Sequence, residues 1–171
     1  MTIKFNATFS ELLDKYGLSP ELNFDIEIPK DIREKLAEHI IINDYGIGMA
    51  GSYSPRPADN PATQSFQEDE ENHFHIDLLP ESQEKDIFQM GIRTCIALAD
   101  KFQKENVLQV QITYSFQTPG MGSAYEEELQ FNDGNHHISD RISFHIKRPG
   151  QRVVDDEMFN HKYSAFLTID C

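Results

Sequence analysis

Three groups of side chains have the types and spacing to do chemistry, and the first depends on strand register. Asp133-Gly134 is a type I′ hairpin pair. With that turn, Leu129 faces Ile138, Tyr125 faces Ile142 and Glu127 faces Asp140. A second turn at Gly120-Met121 sets Phe116 opposite Tyr125, Ile112 opposite Leu129 and Tyr114 opposite Glu127. Both turns give one parity. Val110, Ile112, Phe116, Leu129, Ile138 and Ile142 share a face, and Tyr114, Glu127 and Asp140 form a row on it. Burial and like charge both raise a carboxyl pKa. A pair of this kind can hold one carboxyl protonated beside an ionised one for acid/base work, with the tyrosine hydroxyl as donor. Tyr114, Glu127 and Asp140 are therefore the candidate catalytic residues. The competing reading leaves the row beyond the covering helix, open to water, or has a bulge turn one acid outward.

The second group is His73, His75 and Asp77, which project from one side of a strand because alternate residues share a face. Imidazole and carboxylate can ligate zinc or another divalent ion. Their face is opposite Phe74, Ile76 and Leu78, so an ordinary wet stripe explains the same pattern. Gly46-Ile47-Gly48-Met49-Ala50-Gly51 matches G-x-G-x-x-G, but Ser52-Tyr53-Ser54-Pro55-Arg56-Pro57 follows, where a dinucleotide site needs a helix. No Walker, HExxH or G-x-S-x-G motif occurs, and no cofactor is implied.

The third group is acidic. Asp plus Glu number 29 against 15 Lys plus Arg, a formal net charge of −14. The acids are partly clumped, at Glu68-Asp69-Glu70-Glu71, at Glu126, Glu127 and Glu128, and at Asp155-Asp156-Glu157. A charge run is ordinarily a solvated face. Read as function, these residues would draw a basic protein partner. A phosphate backbone would be repelled, and no Lys/Arg cluster offsets that, so direct nucleic-acid binding is not expected. The first residues lack a signal peptide's apolar run, and no apolar run is long enough to span a bilayer. Cys95 and Cys171 show no pairing or metal spacing, which fits a reducing compartment, so a cytoplasmic location is expected. Nothing fixes the oligomeric state.

The elements that must position these groups follow from periodicity. A length of 171 residues suits one domain. Ser10–Tyr16 reads as a short helix, capped by Thr8 or Ser10 and stopped by Gly17. Leu22, Phe24, Ile26 and Ile28 alternate with polar residues as in a half-buried strand. Asp31–Asn43 has a helical face, although Ile40-Ile41-Ile42 could be a short strand. Residues 46–72 read as one long mobile loop, because Pro55, Pro57 and Pro61 exclude a helix there. His73–Leu79 alternates. Ser82 to about Lys104 carries a broad apolar stripe: Ile87, Gly91, Cys95, Leu98 and Phe102, widened by Phe88, Ile92, Ile96 and Ala99. Gly91 in its middle implies close packing. Val107–Thr118, Tyr125–Phe131, His136–Lys147 and Lys162–Ile169 read as strands. The expected fold is α+β: a twisted antiparallel sheet, with a C-terminal meander of four or more strands, packed on one long central helix with the N-terminal helices on the same side.

Two function classes fit. One is a non-catalytic acidic binding module (inhibitor, immunity-type or adaptor protein) that docks a basic macromolecule. The other is a small cavity enzyme or small-ligand binder using Glu127, Asp140 and Tyr114.

Overall fold

A computed structural model describes residues 1–51, 53–57, 61–76, 83–107, 109–118, 138–148, 159 and 163–171. In chain order the elements are β1 (Thr2–Phe5), α1 (Ala7–Tyr16), α2 (Lys30–Leu36), β2 (Ile40–Asn43), β3 (Gly46–Met49), α3 (Pro61–Glu71), β4 (His73–Phe74), α4 (Glu84–Lys104), β5 (Val110–Gln117), β6 (Ser139–Ile146) and β7 (Ala165–Asp170). The fold is α+β. Five strands form an antiparallel sheet in the order β1-β7-β5-β6-β4, and β2 with β3 form a separate hairpin.

The core lies between α4 and one face of the sheet. On α4 the residues Ile87, Phe88, Gly91, Ile92, Cys95, Leu98, Ala99 and Phe102 are buried, as a stripe this broad requires. They meet Val110, Ile112, Tyr114 and Phe116 of β5, Ile142 and Phe144 of β6, and Leu167 and Ile169 of β7, all wholly buried. Gly91 is where helix and sheet come closest. A Cβ there would stand 2.2 Å from Cζ of Tyr114, so only glycine admits that ring beneath the helix. Helix α1 packs on the same side, with the rings of Phe9 and Tyr16 at 4.9 Å and 5.6 Å from that of Phe88.

The cap of α1 is Asn6, not Thr8 or Ser10. Its Oδ1 accepts from the Phe9 and Phe166 N–H groups, and its Nδ2 donates to the Phe159 and Ser164 carbonyls. One buried amide thus caps a helix and ties it to β7. Gly17 ends α1 in the left-handed conformation, with φ 63°.

Four expectations need correction. Leu22–Ile28 alternates in burial, with Leu22 and Phe24 buried, but it joins no strand ladder among the described residues. The helix beginning at Lys30 stops at Leu36, and Ile40–Asn43 is the strand β2. Residues 46–72 are not one irregular loop, since they hold β3 and α3. Proline excludes helix only in its interior, and Pro61 sits at the first helical position, where its missing N–H has no intrahelical partner to lose. Finally, β5 has β6 and β7 as its neighbours: Ile112 lies opposite Phe144 and Ile169, Tyr114 opposite Ile142 and Leu167, and Phe116 opposite Asp140 and Ala165. The turn at Asp133-Gly134 and the strand Tyr125–Phe131 lie outside the described residues.

Candidate functional site

Two polar assemblies flank the sheet. On the α4 side, Tyr114 and Asp140 share the apolar face, as the parity of the sequence implied. They are not opposite one another, because Asp140 faces Phe116 and Tyr114 faces Ile142. Glu127 lies outside the described residues, so the pairing of its carboxylate with Asp140 is not on view. Asp140 is 1% exposed, and the Ile76 N–H donates to its two oxygens at 2.9 Å and 3.1 Å. Its backbone carbonyl accepts from Nδ1 of His75. The carboxylate thereby holds the chain after β4 against β6. The Cys95 thiol is pushed well above its ordinary range, by burial first and then by the charge of Asp140. That makes it a poor nucleophile at neutral pH.

On the other side, α3 packs a polar stripe against β6 and β3. Ser65, Glu68, Asp69 and Asn72 recur at helical spacing and are buried, while Phe66 faces water. Glu68 is wholly buried. Its carboxylate accepts from the Ile47 N–H at 3.1 Å, the Ile146 N–H at 2.8 Å and the Arg148 guanidinium at 2.7 Å and 3.0 Å. Gly46 makes room for it, since a Cβ there would come 1.6 Å from Glu68 Oε1. Asp69 accepts from Arg141 at 3.0 Å and from the Ser143 hydroxyl at 2.5 Å, with His145 Nδ1 at 3.8 Å. Asn72 donates to the Ile47 and Phe144 carbonyls. Backbone groups of two strands, β3 and β6, are thus satisfied by one helix face, as burial of polar groups demands.

Ser143, His145 and Asp69 are the residue types of a nucleophilic triad, but the serine hydroxyl is given to the carboxylate and not to an imidazole. That is the reverse of the order that activates a serine. All three are buried.

The candidate partner-binding acids therefore divide. Glu68 and Asp69 are bonded inside the fold and are not available to a partner, which corrects their reading as surface charge. Glu70 and Glu71 are exposed, and Glu70 pairs with Arg141. Glu126, Glu128, Asp155, Asp156 and Glu157 lie outside the described residues. The missed signal was spacing: Ser65, Glu68, Asp69 and Asn72 stand at i, i+3, i+4 and i+7, the pattern of an inward face.

Among the described residues, Lys15, Lys30, Arg33, Lys101, Arg141, Lys147 and Arg148 are engaged in ion pairs within the chain. Among the described residues, Glu11, Asp14, Glu21, Asp25, Asp31, Asp44, Glu71 and Asp100 are exposed and belong to no such pair.

His73 and His75 are exposed on one side of the edge strand β4 and its continuation, with ring centroids 5.1 Å apart. Asp77 lies outside the described residues. Among the described residues no group of three or more His, Cys, Asp or Glu is arranged to hold a metal ion. The G-x-G-x-x-G run forms β3 and its exit, with no helix directly after it, and Gly48 is required because a Cβ would meet the Tyr53 carbonyl at 2.2 Å. No helix of the described residues is long and apolar enough to cross a membrane. No protein-family model, curated protein or solved structure matches the chain.

Proposed function

We propose that this chain is a non-catalytic, cytoplasmic, acidic binding module that docks a basic protein. The observation that carries the reading is the excess of acid. Among the described residues eight exposed carboxylates belong to no ion pair, against the five exposed cations Lys4, Lys35, Arg56, Lys85 and Lys104 that also belong to none. With a net charge of −14, those carboxylates set up a negative field. Such a field speeds encounter with a cationic surface and repels nucleic acid. The core under α4 supplies a rigid platform for it.

Capture from a lysate at low and at raised salt tests this directly. Basic proteins should be retained at low salt and released as the Debye length shortens to about 3 Å near 1 M. Capture that is indifferent to salt counts against the reading.

A second reading retains one observation. Asp140 is buried on the helix-covered face that also carries Tyr114, where a small-ligand site or cavity enzyme completed by Glu127 would stand. If so, Asp140→Asn and Glu127→Gln should abolish binding of a small ligand found by screening, with the fold retained.

A further inference from the structure

We propose that His73 and His75 form a surface site for a borderline transition-metal dication, of the class of Zn²⁺, Ni²⁺ and Cu²⁺. The inference is independent of the acidic-module reading. It starts from hydrogen bonds. Nδ1 of His73 lies 2.6 Å from the Glu70 carbonyl, and Nδ1 of His75 bonds the Asp140 carbonyl. A carbonyl oxygen can only accept, so both imidazoles must carry their proton on Nδ1. In the neutral ring that leaves the lone pair on Nε2. Neither ring makes another hydrogen bond among the described residues, and both are exposed. Fixing Nδ1–H on a backbone carbonyl is the arrangement that orients metal-ligating histidines and raises their basicity.

The spacing admits an ion. A metal about 2.1 Å from Nε2 lies about 3.2 Å from the ring centre, so rings with centroids 5.1 Å apart are close enough to share one. The electrostatics agree. His73 stands just beyond the C-terminus of α3, the negative end of its dipole, and Glu71 is exposed there outside any ion pair, whereas Glu70 is paired with Arg141. Two imidazoles select borderline transition metals over Mg²⁺ and Ca²⁺, which prefer oxygen donors. The chain supplies two nitrogens from one side of an exposed edge, and water can complete the shell.

The test is titration of the intact chain with Zn²⁺ and, separately, Mg²⁺, read by calorimetry and by two-bond ¹H–¹⁵N correlation of the imidazoles. Before metal, His73 and His75 should both show the Nδ1–H pattern. Zn²⁺ should bind saturably and shift their Nε2 resonances, while Mg²⁺ should shift neither. His73→Gln and His75→Gln should each weaken binding by at least tenfold, and the exposed His39→Gln should leave it unchanged. Undiminished Zn²⁺ binding in the His73→Gln/His75→Gln double variant would overturn the proposal. So would absence of Nε2 shifts in the wild type, a measurement that does not depend on any variant folding.

Discussion

The four consecutive acids Glu68-Asp69-Glu70-Glu71 offer a direct check on the inward face of α3. If the run were a solvated stripe, each amide substitution would change stability by less than about 0.5 kcal/mol. The structure makes the four unequal. Glu68→Gln removes the charge that Arg148 pairs with and replaces one acceptor oxygen with a donor. One of the Ile47 and Ile146 N–H groups then faces that donor. Removing one member of a buried ion pair typically costs about 3–5 kcal/mol. The Arg148 side chain keeps 21% of its surface in water, so part of its charge is resolvated and the loss should fall to roughly 2–4 kcal/mol. At about 2–4 °C per kcal/mol for a chain of this length, Tm should drop by roughly 4–16 °C. Glu71→Gln, exposed and outside any ion pair, should shift Tm by no more than about 2 °C. Thermal melts of the two variants in one buffer suffice. Equal and small shifts would refute the placement of Glu68 between β3 and β6.

Gly91→Ala gains about 1 kcal/mol of helix propensity but drives a methyl to 2.2 Å from a Tyr114 ring flanked by Phe88 and Phe116, an overpacking that costs about 1–3 kcal/mol. Net destabilisation in a urea melt, partly relieved by adding Tyr114→Leu, is expected, and a more stable single variant would contradict the α4–β5 contact. Burial alone would raise the pKa of Asp170, but hydrogen bonds from Lys147 and Gln111 hold it below its ordinary range. A depressed carboxyl stabilises the fold above its unfolded value, and the contribution is lost as pH falls through the lower folded value. The Tm gap between wild type and Asp170→Asn should therefore be present at neutral pH and close below about pH 4. Because Lys147 is half exposed the gap is small, of the order of 1 kcal/mol or less.

The fold was legible where burial pattern and local chemistry coincide. The stripe of Ile87, Gly91, Cys95, Leu98 and Phe102 could belong only to a central helix, and Gly91 correctly marked the close approach to the sheet. Parity put Asp140 and Tyr114 on the covered face although the register was wrong. Parity depends on which residues are apolar, whereas register depends on which strand arrives as neighbour. Leu22–Ile28 shows the converse, since alternation reports a buried face and says nothing about a partner strand. The four residues of β1 carry too little periodicity to be read. Helix α3 was hidden because its buried face is polar and its large apolar residue, Phe66, is exposed at 59%. A reading that equates inside with apolar inverts such a helix. Its recognition required the complementary polar residues Ser143, His145 and Arg148, far away in sequence.

The salt dependence of partner affinity tests the proposed function most directly. Equilibrium binding of the captured basic partner would be measured from about 50 mM to 500 mM salt, for wild type and for a variant with Glu11, Asp14, Glu21 and Asp25 changed to amides. All four residues are exposed and unpaired among the described residues, so the substitutions leave the core intact. Association should slow and affinity fall steeply with salt in the wild type, with a shallower slope and slower low-salt association in the variant. Affinity that is flat across the salt series, and equal in the two proteins, would contradict an acidic docking surface.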